Sequence, residues 1–268
     1  RFEQPDALVT ADEWRSRLTE PLPQRGVGID AVAEELARTV VPNGSPVPRP
    51  GFTGFITTGG ATASTLASTA ASVAAPQRYG LTAFNLLEEL SLEWLSEMFG
   101  LQGMKGVYSS GGSTANLVAL GAARQHAFER VGHDPALRGV DRRTAVFATA
   151  EAHHTVQRAA GVLGLGREAV RMVATDEAGR MDAEALRRAL AAAEAEGALP
   201  VAVVANAGTT NTGAVDPLAA IADLVAAHGV WLHVDGAYGL PGRLDERKVH
   251  LYEGLERADS VIVDPHKW

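Results

Sequence analysis

Lys267 and Asp235 are the residues whose type and placement first suggest chemistry. Lys267 stands in VIVDPHKW, just past a run of valine and isoleucine. A primary amine at a strand end becomes a nucleophile when a suitable group is held beside it. Asp235 stands in WLHVDGAYG, again at the end of an apolar run. A carboxylate there needs a cationic partner, because an unpaired buried charge is costly. The two-residue period of a strand puts His233 on the same face as Asp235. Polar residues also gather after two other apolar runs: His153 and His154 in EAHHTVQRA, and Thr209, Thr210 and Asp216 in NAGTTNTGAVDP. Upstream, YSSGGSTANLVAL leads from Ser109 through Gly111, Gly112 and Ser113 into an apolar-periodic helix expected to start near Ala115. Small residues allow close backbone approach, and the amides of a helix start favour an anion. The stretch is neither G-x-G-x-x-G nor G-x-x-x-x-G-K-[ST], so it signals neither a dinucleotide fold nor a P-loop.

One chemistry uses all of these residues together. Pyridoxal phosphate needs an amine for its aldimine, a carboxylate to keep the pyridine nitrogen protonated, a pocket for its phosphate and a flat group against its ring. Lys267, Asp235, the Ser110–Ser113 stretch with its helix start, and His153 supply these four parts. Taken singly, each has a plainer reading: a surface lysine, a capping aspartate, a capped helix and a structural histidine. A metal site built from His153, His233, Asp235 and His266 is the rival constellation. No H-E-x-x-H occurs, and a metal leaves the pairing of Asp235 with Lys267 unexplained.

These residues require elements that bring distant strand ends together. Short apolar runs are expected as strands over 144–150, 169–175, 200–208, 230–237 and 259–264. Helices are expected between them, near 153–163, 182–196 and 216–228. Continuous apolar strands alternating with helices predict a mostly parallel α/β sheet covered on both faces, with ligands at the carboxyl ends of its strands. LTAFNLLEELSLEWLSEMFG reads as one long amphipathic helix carrying Leu86, Leu90, Trp94, Leu95 and Met98, with Gly100 past its end. ATASTLASTAASVAA, residues 61–75, is expected to be a buried, tightly packed helix. The first fifty residues differ: two helices over 11–20 and 29–41, the second capped by Asp30 and ended by Pro42 with Asn43 and Gly44, then a proline- and glycine-rich extended loop. Residues 1–50 are therefore expected to form an N-terminal helical arm, and 51–268 the main domain.

Composition narrows the alternatives. The chain of 268 residues is 46% hydrophobic and 21% charged, enough for one large domain, alone or with a small appendage. Its net charge of -8 and the lack of any lysine or arginine run argue against nucleic acid. It has no cysteine, which excludes disulfides, thiolate chemistry and zinc–thiolate sites. No apolar run approaches the ~18 residues of a membrane span, and no signal peptide is visible, so a cytoplasmic protein is expected. The chain starts at Arg1 and stops directly after the lysine, so both ends are expected to be cut.

From about Gly51 to Trp268 the chain resembles the group II pyridoxal-phosphate-dependent amino-acid decarboxylases, which include aromatic-amino-acid, histidine, glutamate and cysteine-sulfinate enzymes. The resemblance rests on SGGSTANLVAL, AHHTVQRAAGVLG, NAGTTNTGAVDPL, WLHVDGAYG and ADSVIVDPHKW. It implies a type I (aspartate-aminotransferase-like) fold and decarboxylation of an L-amino acid through a Lys267 aldimine. It implies that Asp235 pairs with the pyridine nitrogen, that His153 stacks on the ring, and that Gly112, Ser113 and His266 serve the phosphate with Asp264 nearby. Thr210 and Asp216 match positions lining the cofactor, and Asn116 lies one turn into the phosphate helix. Residues Pro50 to Phe55 match a loop shaping the substrate side, commonly built from the neighbouring subunit of a homodimer whose active site lies at the interface. The sequence departs from the family pattern at Gly236, usually alanine, and at Asp264, which is asparagine in the aromatic-amino-acid enzymes. The family's mobile catalytic loop and C-terminal small domain are not in this chain. An aldehyde lyase of the sphingosine-phosphate-lyase kind, an aminotransferase and a non-catalytic paralogue stay open as alternatives.

Overall fold

The computed structural model describes residues 9–22, 24–44, 60–75, 80 and 83–267. The chain divides into two compact units, Arg1–Gly60 and Ala61–Trp268. In the first, helix α1 (Ala11–Leu18) opens with a capping box: the Thr10 hydroxyl accepts from the Glu13 amide, and the Glu13 carboxylate accepts from the Thr10 amide at 2.8 Å. Helix α2 (Ile29–Glu35) continues as a π-helical turn over Leu36–Val40. Asp30 does not cap it. The cap position is Gly28, and Asp30 lies in the first turn, where its charge faces the positive end of the helix dipole instead. Asn43 helps close the segment by donating to the Thr39 carbonyl at 2.7 Å. The proline-rich stretch, including Pro50 to Phe55, lies outside the described residues.

In the second unit, α3 (Thr62–Ala74) forms where the sequence predicts a helix, but none of its residues is buried, and Val73 is 83% exposed. Alanine, serine and threonine make a surface that can pack closely yet carry little apolar area to drive burial. Helix α4 (Ala83–Met98) follows; Leu81 and Thr82, at the start of the predicted helix, lie outside the described residues. On its predicted apolar stripe Leu90 and Leu95 are half-buried, whereas Leu86, Trp94 and Met98 are exposed.

The predicted strands form one sheet. Strands β1 (Thr144–Thr149), β2 (Val170–Val173), β3 (Leu199–Asn206), β4 (Trp231–Asp235) and β5 (Ser260–Ile262) are all parallel, in the order β2-β1-β3-β4-β5. One face packs on α5 (Gly112–Glu129) and, beyond the short α6 (Pro135–Arg138), α7 (Thr155–Val162), with Leu120, Ala123, Val156 and Ala160 against Val146, Ala148 and Val204. The other face packs on α8 (Ala183–Ala195) and α9 (Leu218–His228), with Leu186, Leu190, Ile221 and Val225 against Phe147, Val203, Leu232 and Val234. Burial of both faces is why the strands read as unbroken apolar runs. Chain order reverses between β1 and β3, so a crevice opens beyond the carboxyl ends of these strands. In β4, Leu232 and Val234 point to the α8–α9 face. The two-residue period therefore turns His233 and Asp235 toward α5. Helix α5 itself starts at Gly112, three residues before the predicted point, because the first-turn amides of a helix need no intrahelical acceptor and tolerate glycine there.

Packing accounts for Gly236, the residue after β4. Its amide donates to the Ile262 carbonyl at 3.1 Å, and its carbonyl accepts from the Leu240 amide at 3.1 Å. A Cβ at this position would lie 2.7 Å from Leu240 Cβ and 2.8 Å from the Ile262 carbonyl oxygen. Neither neighbour can swing away, because one is a buried side chain at its root and the other is backbone. A Gly236→Ala substitution is expected to push β4 and β5 apart and destabilise the protein by about 1–3 kcal/mol, the usual cost of overpacking. Urea denaturation of parent and variant measures it.

Candidate active site

The strand ends converge on one cavity of about 170 Å³. Gly112 and Ser113 reach it from the start of α5, His153 from the β1–α7 connection, and Asn206, Gly208 and Thr210 from the end of β3. Asp235, Ala237 and Tyr238 arrive from the end of β4, and Asp264 and Lys267 from beyond β5. Asn116, one turn into α5, completes the wall. Seven of the predicted site residues thus share one cavity: Gly112, Ser113, His153, Thr210, Asp235, Asp264 and Lys267.

Asp235 is almost fully buried, at 8% exposure. Its Oδ1 accepts from the Ala237 amide and its Oδ2 from Asn116 Nδ2, both at 3.1 Å. His153 is half-buried, with Nδ1 2.8 Å from the Thr155 hydroxyl and its ring 4.2 Å from that of His154. Desolvation, helped by His154, pushes the His153 pKa below its ordinary value, against the pull of the Asp235 charge. At the start of α5, Gly111 takes φ 148°, a conformation that favours glycine, and among the described residues no side chain caps the helix. The amides of the first turn, in Gly112 and Ser113, are therefore left for a ligand at the positive end of the helix.

Lys267 sits on a tight turn. Its amide donates to the Asp264 carbonyl at 3.1 Å, and the Asp264 carboxylate accepts from the His266 amide at 3.0 Å. Asp264 therefore both lines the cavity and shapes the turn that carries the lysine. An asparagine oxygen could accept the same amide, so the turn does not distinguish the two residues; only the charge differs. His266 is exposed and is not part of the cavity wall.

Asp216 is also not part of the wall. It lies one layer behind, 1% exposed, and accepts from the Met181 amide at 2.6 Å, the Asn206 amide at 2.6 Å and Asn206 Nδ2 at 3.1 Å. Desolvation raises its pKa despite these three donors. What it holds is Asn206, a wall residue that the sequence reading passed over. The available signal was a polar side chain closing the apolar run VAVVAN at a strand end. Gly208 and Tyr238 were also missed; they flank recognised residues, but nothing local distinguishes them. Of the metal constellation, His153 and Asp235 share the cavity, but both ring nitrogens of His233 are engaged in the interior by Asn116 and Ser260, and His266 is outside the cavity wall.

An amine, a carboxylate, an imidazole and a helix start around one cavity suit pyridoxal phosphate. Residues 12–268 match the family described as the pyridoxal-dependent decarboxylase conserved domain. The chain belongs to that family. Human cysteine sulfinic acid decarboxylase is 44% identical over 188 residues, covering 69% of this chain and 37% of the relative. Aromatic-L-amino-acid decarboxylase of Bacillus atrophaeus is 35% identical over 265 residues, 97% of this chain and 53% of the relative. The crystal structure of mouse CSAD superposes with a TM-score of 0.87 at 34% identity, covering 99% of this chain and 56% of that one. The fold is the type I fold of these pyridoxal-phosphate enzymes, and the chain spans about half the length of the relatives it matches. The family is described as pyridoxal-dependent, and the relatives named here are decarboxylases, that is, carboxy-lyases. In this decarboxylase-family chain, an Asp216→Ala substitution is expected to strip the buried Met181 and Asn206 amides of their acceptor and leave Asn206 Nδ2 only its 3.4 Å contact with the Thr149 hydroxyl. Each orphaned donor costs about 1–3 kcal/mol, so a loss of at least ~2 kcal/mol is expected in denaturant unfolding.

Proposed function

We propose that this chain is the cofactor-binding part, over residues 51–268, of an enzyme that decarboxylates an L-amino acid to an amine and CO2. The observation that carries this reading is the meeting of Lys267, Asp235, His153 and the start of α5 in one cavity. When bound, pyridoxal phosphate supplies an aldehyde that takes up an amine and a protonated ring that accepts the electron pair left by departing CO2. Lys267 would hold the cofactor through its amine, and its Nζ would move a proton in exchange with a substrate amine. Asp235 would keep the proton on the ring nitrogen, which would make the ring an electron sink. His153 would present its flat imidazole to the ring. Gly112 and Ser113 would offer first-turn amides to the phosphate, and Asp264 and His266 share the turn that carries Lys267. Thr210 would contribute to the wall around the ring, and Asp216 would serve the site through Asn206 rather than by contact.

The test uses the full-length protein with pyridoxal phosphate and a panel of L-amino acids, following CO2 and amine together. Equal amounts of the two are expected for one class of substrate. Lys267→Ala should lower the rate by about 10²–10⁴-fold, the range for loss of a positioned proton-transfer group. Cofactor binding without CO2 from any amino acid would overturn the decarboxylase reading.

The working form we propose is a cytoplasmic homodimer with the active site at the subunit interface. The exposed Leu86, Trp94 and Met98 of α4 support an interface, because large apolar side chains rarely stay in water as a group. Sedimentation equilibrium of the full-length protein should give a dimer, and cell fractionation should place it in the soluble cytoplasmic fraction; a monomer or an exported protein contradicts the respective part.

A further inference from the structure

Asp235 and His153 are joined by a continuous chain of hydrogen bonds that begins well away from the cavity. The Trp231 indole nitrogen lies 2.8 Å from the Ser260 hydroxyl, which lies 2.8 Å from His233 Nδ1. His233 Nε2 lies 2.8 Å from Asn116 Oδ1. Asn116 Nδ2 then reaches both Asp235 Oδ2 and Thr155 Oγ1, each at 3.1 Å. Thr155 Oγ1 lies 2.8 Å from His153 Nδ1. The fold assembles this chain from four elements. Parallel register pairs His233 with Ser260, and α5 and α7 lie on the sheet face to which His233 and Asp235 point.

The chemistry of the groups determines the direction of every bond. Reversing the Asn116 amide would set its oxygen against the Asp235 carboxylate, two acceptors face to face, so the nitrogen faces Asp235 and the oxygen faces His233. His233 Nε2 must therefore carry a proton. His233 has no exposed surface, and desolvation lowers its pKa against the pull of Asp235 and of the Ser260 backbone, which favours a neutral ring with a single proton. Nδ1 then accepts from the Ser260 hydroxyl, and Ser260 accepts from the indole, which can only donate. At the other end, Thr155 accepts from Asn116 and passes its own hydrogen to His153 Nδ1. The Thr155 amide, also only a donor, faces the same nitrogen at 3.4 Å. His153 accordingly keeps its proton on Nε2.

We propose that Asn116 and His233 are positioning residues, and that the single Asn116 amide sets both sides of the cofactor site at once: Asp235 as an acceptor for a ring nitrogen, and His153 as its Nε2–H tautomer. This rests on the roles assigned above to Asp235 and His153. His233 acts by holding the Asn116 oxygen, so that the amide cannot turn its acceptor toward the carboxylate.

The test uses full-length parent protein and the variants Asn116→Ala, Asn116→Asp, Thr155→Val, His233→Leu and His233→Gln, each checked for folding by circular dichroism. Nitrogen-15 NMR of the cofactor-free proteins reads the His153 tautomer. The parent is expected to show a proton on Nε2, and Asn116→Ala and Thr155→Val a tautomer mixture. Pyridoxal phosphate affinity is expected to fall about tenfold or more in Asn116→Asp and His233→Leu. Most of that loss should return in His233→Gln, whose amide can still donate to Asn116. Thr155→Val, nearly isosteric, keeps the tautomer measurement decisive if Asn116→Ala does not fold. An unchanged His153 tautomer in the folded variants, or affinities within about twofold of the parent, would overturn the proposal. These effects in the variants, together with a parent that releases no CO2, would refute the decarboxylase reading while upholding this one.

Discussion

The buried carboxylate of Asp235 is the constraint on which the site depends. A charge at the end of a strand covered on both faces cannot be left without partners, since desolvation alone would make it too costly. Two neutral donors meet it: the Ala237 amide, from the turn that leaves β4, and the Asn116 side chain, from α5. Neither neutralises the charge. The carboxylate is thus oriented but left with its full demand for a cation, and it faces the cavity that Lys267 also lines. A protonated pyridine nitrogen answers that demand, so the residual charge is itself a selector for the ligand.

The neighbouring strand repeats the device one layer further back. Asp216 gathers three N–H donors at the end of β3 and stays out of the cavity; Asn206, which it holds, forms the wall. Parallel register sets Asn206 directly beside Asp235. The two carboxylates therefore divide the work, one facing the cofactor site and one ordering the polar wall next to it. The difference follows from their supply of donors, since Asp216 is surrounded by them within the interior whereas Asp235 is open on one side.

Two departures from the family pattern have local physical readings. Gly236 is required by its tight fit against Leu240 and the Ile262 carbonyl. Asp264 closes the turn that presents Lys267, a task any short oxygen acceptor performs. What Asp264 adds is a second negative charge on the cavity wall, beside the turn that carries the amine.

Much of the architecture was legible in the sequence. Strand and helix periods are local properties, and an apolar run ending in a polar residue marks a strand end without any knowledge of its neighbours. Lys267, Asp235 and His153 were accessible in this way, and their joint occurrence with the Ser110–Ser113 helix start pointed to the cofactor. Helix α3 was misjudged as buried because burial depends on what lies against a helix and not on its own residues. Asp216 and His266, expected at the cofactor, stand outside the cavity wall, because spacing gives a residue's position along the chain but not its depth. Asn116 stands 119 positions before Asp235 and 39 before Thr155. No periodicity links such positions. Only the packing of α5 on the β4 face, which folding settles through the burial of both sheet faces, brings that one amide between the carboxylate and the imidazole.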